Sequence, residues 1–176
     1  MRKKLLIVTI SFFFGIIAIF FYLLLLDRNP NVIPSNLINK NIPEFETTSL
    51  FTGKKFISSN EFKDKITLVN FFATWCLPCR EEMPFIKKFS QNKNINIIGI
   101  NYKDHAGKTI NWLKKLGNPY SKIAMDESGK IGIDWGVYGI PETFIINSNG
   151  IIKYRHVGPV TKEIYIKFKL IIAELT

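Results

Sequence analysis

Histidine and cysteine are scarce in this chain, with two of each among 176 residues. That scarcity excludes most metal chemistry. A structural zinc site wants four ligands, and His105 and His156 stand far apart in the sequence. Covalent haem attachment needs Cys-x-x-Cys-His, whereas Arg80 follows the second cysteine. Copper transfer is served by Cys and His together, and no His neighbours the pair. Acidic residues are also few, 14 against 24 basic ones, for a formal net charge of +10. No block of five like charges occurs and no internal repeat is present. The lysine surplus therefore reads as compositional bias, not as a nucleic-acid footprint. An attraction to anionic lipid or an acidic partner is the sharper alternative.

Charge is missing altogether from Leu5 to Leu26, a run of 22 residues. At 1.5 Å per residue such a helix spans about 33 Å, enough for the hydrocarbon core of a bilayer. Arg2, Lys3 and Lys4 precede it, which by the positive-inside rule puts the N-terminus in the cytoplasm and the remainder outside. A cleaved signal peptide is the competing reading. Its apolar region is normally shorter and closes on an A-x-A-like site, but Ala18 is the only alanine in the run. We expect residues 1–26 to be a cytoplasmic tip and single-pass anchor in a bacterial inner membrane, with 27–41 a tether. That tether carries Pro30, Pro34 and five asparagines, a composition for spacing and not for packing.

From residue 42 onward, strand and helix patterns alternate over a length suited to one domain. Strands are expected at Lys54–Ile57, Ile66–Phe72, Ile95–Tyr102 and Glu142–Ile146, with a shorter apolar segment at Ile123–Met125. Asn147-Ser148-Asn149-Gly150 should turn the last full strand into an antiparallel partner over Ile151–Val157. Helical patterns cover Arg80–Gln91, Lys108–Leu116 closed by Gly117, and Thr161–Leu175, with brief turns at Ser58 and Gly129. Ile164, Phe168, Ile171, Ile172 and Leu175 fall on one face of the closing helix. Parallel strands joined by helices and finished by a hairpin and a helix predict an α/β domain of thioredoxin-like arrangement, a mixed sheet flanked by helices.

The only two cysteines sit in Trp75-Cys76-Leu77-Pro78-Cys79, between a buried strand and a helix. Free N–H groups and the macrodipole at a helix start favour a thiolate there. Cys76 is thus the expected nucleophile and Cys79, one turn into the helix, the residue that resolves a mixed disulfide. A purely structural bridge would close a very short loop, where cross-linking gains least. Thiol–disulfide exchange is the predicted chemistry. It needs no cofactor beyond the redox-active Cys76–Cys79 pair.

Phe71-Phe72-Ala73-Thr74-Trp75-Cys76-Leu77-Pro78-Cys79-Arg80-Glu81-Glu82-Met83-Pro84 resembles the active-site block of membrane-tethered thioredoxin relatives. Asn101-Tyr102-Lys103-Asp104, Trp112-Leu113 and Leu116-Gly117-Asn118-Pro119-Tyr120 narrow the likeness. The specific block is Gly136-Val137-Tyr138-Gly139-Ile140-Pro141-Glu142-Thr143-Phe144. Together they resemble the DsbE (CcmG) thiol:disulfide interchange proteins of cytochrome c maturation, over essentially the whole chain including the anchor.

The resemblance implies a periplasmic reductant supplied by a DsbD- or CcdA-type membrane protein. Its substrate would be the Cys-x-x-Cys-His of apocytochrome c, reached directly or through a CcmH-type partner. It also implies that Pro141, after Ile140, is a cis-proline whose neighbouring backbone pairs with an incoming peptide. Trp75 would shield the sulfur and meet a partner. Glu82 and Glu142 would each bring a carboxylate near the sulfurs, raising the thiol pKa or relaying a proton; for Glu81 and Glu82, helix-dipole compensation is the plainer alternative. Trp112 and Trp135 read as core, and His105 and His156 as surface or structural residues. Two other functions share the fold: a general periplasmic reductant, and a membrane-held chaperone that grips apocytochrome c without turning it over. Peroxidase chemistry would need a cysteine in a T-x-x-C-type setting, which the sequence does not contain.

Overall fold

The computed structural model describes residues 2–25 and 36–175. The chain divides into two units, 1–33 and 34–176. In the first, α1 (Arg2–Leu25) is one helix. Its segment Leu6–Leu23, 18 residues without a charge, is long and apolar enough to cross a membrane. Residues 27–35 of the expected tether lie outside the described residues. The tether's last residues belong to the second unit, where Asn39 N–H donates to the Ile152 carbonyl and Ile152 N–H to Lys40, and the Ile42 N–H just after them donates to Gly150.

The second unit opens with a separate antiparallel pair, β1 (Glu46–Thr48) and β2 (Lys55–Ile57), and the short α2 (Ser58–Glu61). Then follow β3 (Ile66–Phe72), α3 (Leu77–Ser90), β4 (Ile95–Tyr102), α4 (Ala106–Leu116), β5 (Lys122–Asp126), α5 (Lys130–Asp134), β6 (Glu142–Ile146), β7 (Ile152–Val157) and α6 (Lys162–Glu174). The main sheet has the order β5-β4-β3-β6-β7. β3, β4 and β5 run parallel, while β6 is antiparallel to β3 and β7 to β6. This is the thioredoxin-like mixed sheet predicted from the pattern. The apolar segment at Ile123–Met125 proves to be a full edge strand. β1 was not foreseen, because Glu-Thr-Thr carries no apolar alternation.

Every residue of β3 is buried, as expected of a central strand covered on both faces. Its side chains alternate between two layers. Leu68 and Phe72 enter a layer with Met83, Ile86 and Phe89 of α3, Trp112 and Leu113 of α4, and Phe168 and Ile172 of α6. Val69 and Phe71 enter the opposite layer with Phe56, Phe62, Trp135 and Phe144. The Trp135 ring lies 5.5 Å from Phe71 and 5.0 Å from Phe144, so both it and Trp112 are core. Gly99 on β4 leaves room for Tyr120: a Cβ there would lie 2.7 Å from the Phe72 ring and 3.1 Å from the Tyr120 ring. Those two rings stack at 4.7 Å. The stack carries the Tyr120 hydroxyl toward β3, where it joins the polar site described next.

Candidate active site

The strand β3 delivers the chain to Cys76, which is the N-cap of α3 in extended conformation (φ −88°, ψ 109°). Its Sγ accepts the Cys79 N–H at 3.1 Å, the place a capping oxygen usually takes. Cys76 and Cys79 form a disulfide with Cα atoms 5.3 Å apart. The helix begins at Leu77, three residues before the sequence pattern suggested. Pro78 explains the difference, since a missing N–H costs nothing in the first turn, where those donors have no helical partner. Cys76 is 5% exposed and Cys79 1%. Trp75 and Leu77, by contrast, are exposed and flank the pair.

The loop before Cys76 is tied to the end of β4. Asp104 accepts the Thr74 N–H at 2.6 Å and the His105 N–H at 2.8 Å. Burial opposes the charge of Asp104, but these donors outweigh it and hold the carboxyl below its ordinary range. The Trp75 indole N–H donates to the Lys103 carbonyl at 3.2 Å, which orients the exposed ring. Asp104 was seen in the sequence only as part of a motif; nothing in spacing linked it to Thr74, 30 residues away.

One turn beyond Cys79, Glu82 is 1% exposed. Helix-dipole compensation describes neither a carboxyl so placed nor Glu81, because α3 starts at Leu77 and its first turn holds no acidic residue. Glu82 Oε1 accepts from Asn70 Nδ2 at 2.8 Å, and Oε2 accepts the Val160 N–H at 2.9 Å. Asn70 in turn donates to Thr143 Oγ1 at 3.1 Å and accepts from the Tyr120 hydroxyl at 2.7 Å. Burial pushes the Glu82 carboxyl up to about 7, and the bonds from Val160 and Asn70 restrain it from going further. Burial, then the neighbouring Glu82, raises Tyr120 well above the usual phenol range. Sequence reasoning missed Asn70 and Tyr120. The available signal was Asn70 itself, the one amide in a strand that is apolar but for Thr67, which must find partners once buried.

Glu142 corrects an expectation. It pairs across the sheet with Phe71 and alternates with Thr143, so its side chain enters the Phe71–Phe144 layer, opposite the one that holds Cys76 and Cys79. There it is ion-paired with Arg155 at 2.7 Å, both side chains being almost wholly buried. Its other oxygen accepts the N–H groups of Tyr138 (3.2 Å) and Gly139 (3.4 Å). Burial raises the Glu142 carboxyl and Arg155 pulls it back. A free carboxylate beside the sulfurs is therefore not what Glu142 supplies. Arg155 had no signal of its own, because a basic residue on a half-polar strand normally faces water.

The Ile140–Pro141 bond is cis, as the resemblance implied. Half-buried Ile140 packs against the cluster that contains both cysteines. Pro141 is buried and its carbonyl accepts the Gly158 N–H at 2.9 Å, which leaves the preceding residues at the surface with Tyr138 exposed. His105 occupies the N-cap position of α4 with no capping bond from its side chain, and the His156 ring contacts the Pro159 carbonyl at 3.2 Å.

Residues 38–169 match the Redoxin family. The chain is 52% identical to the thiol:disulfide interchange protein CycY of Rhizobium leguminosarum bv. viciae over 134 residues, 76% of this chain and 72% of that one. It is 38% identical to the thiol:disulfide interchange protein DsbE of Escherichia coli K12 over 169 residues, 94% and 91% of the two chains. Among solved structures, a thioredoxin-family thiol:disulfide interchange protein of Chlorobium tepidum TLS superposes with a TM-score of 0.61 at 28% identity, covering 77% of this chain and 94% of that one.

Proposed function

The chain belongs to the DsbE/CycY thiol:disulfide interchange proteins of the redoxin family, and from that premise we propose that it is a membrane-anchored periplasmic reductant of the apocytochrome c Cys-x-x-Cys-His disulfide. It is a thiol–disulfide oxidoreductase; the substrate, the direction and the location are the proposal. The observation that carries it is the Cys76–Cys79 pair capping α3, on a chain that bears its own apolar helix.

In the forward reaction the Cys76 thiolate attacks one substrate sulfur and displaces the other as a thiolate. Cys79 then attacks Cys76 in the mixed disulfide and releases the substrate dithiol. Two electrons pass to the substrate, and the enzyme is left as the observed disulfide. A DsbD- or CcdA-type membrane thiol protein returns it to the dithiol. No cofactor takes part. Trp75, Ile140 and Pro141 meet the incoming chain, either apocytochrome c or a CcmH-type relay. Glu82, one helical turn from Cys79 and on the same side of α3, accepts the Cys79 proton during resolution. Its carboxyl near 7 suits that task at neutral pH.

The direct test uses a synthetic peptide holding an oxidised Cys-x-x-Cys-His. The reduced full-length protein in detergent should reduce it, and its equilibrium potential against glutathione should lie near thioredoxin's, about −270 mV. A value near that of DsbA, about −120 mV, would make the protein an oxidant and sink the reading. Equal turnover of unrelated protein disulfides would favour the general reductant.

The anchor has its own expected result. N-terminal sequencing of the membrane fraction should begin at the start of the chain. A sequence beginning near Asp27 would show α1 to be a removed signal.

A further inference from the structure

We propose that Arg155 is a positioning residue for Gly136–Pro141, the segment that ends in the Ile140 and Pro141 that meet substrate in the reading above, and that it acts through Glu142. β7 places Arg155 opposite Phe144 on β6, which puts its side chain on the same layer as Glu142. The guanidinium donates to Glu142 Oε2 from Nε at 2.8 Å and pairs with it through Nη2 at 2.7 Å. The same Nη2 donates to the Gly136 carbonyl at 2.8 Å. Glu142 Oε1 in turn receives the N–H groups of Tyr138 and Gly139. One buried ion pair thus holds three backbone groups spread along four residues. The guanidinium carbon also lies 5.2 Å from the Tyr138 ring and 5.6 Å from the Phe144 ring, which fixes its plane.

Stability alone does not account for this arrangement. A buried ion pair roughly breaks even against well-packed apolar side chains of the same volume. What apolar side chains cannot supply is directional bonding to a turn that starts at Gly136, where φ is +67°. The fork of an arginine reaches the carboxylate and the Gly136 carbonyl together, and a lysine ammonium lacks that planar pair of donors. The clamp therefore sets the path of the backbone that leads into Ile140 and Pro141, and with it the exposed Tyr138 ring.

The test uses full-length protein in detergent with two substrates. One is the oxidised Cys-x-x-Cys-His peptide, which lies along the segment. The other reaction, reduction of the Cys76–Cys79 disulfide by dithiothreitol, needs no backbone contact. For Arg155→Lys the ratio of peptide rate to dithiothreitol rate should fall about tenfold, ~1.4 kcal/mol, with the change in KM and not in kcat. A single apolar replacement would strand the Glu142 carboxylate, so the second variant is Arg155→Met with Glu142→Met. It should recover wild-type thermal stability and still show the raised KM. Recovery of stability and KM together, or an unchanged ratio in Arg155→Lys, overturns the clamp. If wild-type protein itself shows no saturation with the peptide, the functional reading fails instead.

Discussion

Cys79→Ser protein is expected to accumulate as a mixed disulfide through Cys76, and Cys76→Ser protein to lose exchange down to background. The asymmetry follows from the helix start. Cys76 stands at the N-cap, where the Cys79 N–H points at its sulfur from 3.1 Å and the helix macrodipole favours negative charge. A thiolate formed there is stabilised, and a stabilised thiolate is both attacker and leaving group. Cys79, buried at 1% exposure, reaches only a partner already bound to Cys76. In the reduced protein Cys76 should therefore be alkylated first, with Cys79 modified only after unfolding. Mass spectrometry of trapped complexes checks the assignment. Capture through Cys79 in the Cys76→Ser variant would reverse the two roles. The same variant separates catalysis from chaperoning, because a module that only grips apocytochrome c should support maturation without Cys76.

The class of fold and the redox pair were legible because each rests on local chemistry. Ile66–Phe72 is apolar enough to be read as a buried strand, and Cys-x-x-Cys at its exit has few other uses. Helix ends were read less well, since Pro78 and the cap at Cys76 blur the start of α3 by three residues. What could not be read was the pairing of polar groups across the sheet. Asn70, Glu82, Tyr120 and Val160 meet only because β3, α3, the turn before β5 and the turn before α6 converge. Glu142 shows the converse. Its place after Pro141 suggested a carboxylate for the sulfurs, but strand alternation turns it to the other layer, where Arg155 neutralises it. One residue of register decides which layer a charge enters.

The second large effect is expected at Glu82, the carboxyl on the layer that holds the cysteines. Glu82→Gln should slow release of the mixed disulfide on the order of 100-fold at pH 8, the low end of what general base catalysis contributes. The pH–rate profile should also lose its inflection near 7, where the Glu82 carboxyl titrates. A folding measurement shows independently whether that group titrates there. The carboxyl rises from 4.5 to about 7 on burial, so between those values the folded protein binds the extra proton. Stability of the oxidised protein should then fall as pH rises through that window and level off above it, by up to about 3 kcal/mol. Below 4.5 both states are protonated, so the slope vanishes and the stability stays at its full low-pH value. Glu142, also raised by burial, and other groups add their own slopes, so the quantity to read is wild type minus Glu82→Gln in urea unfolding. Loss of the slope together with slowed resolution assigns the proton transfer to Glu82. Loss of the slope at an unchanged rate would leave Glu82 as a buried anchor for Asn70 and Val160, with water taking the Cys79 proton.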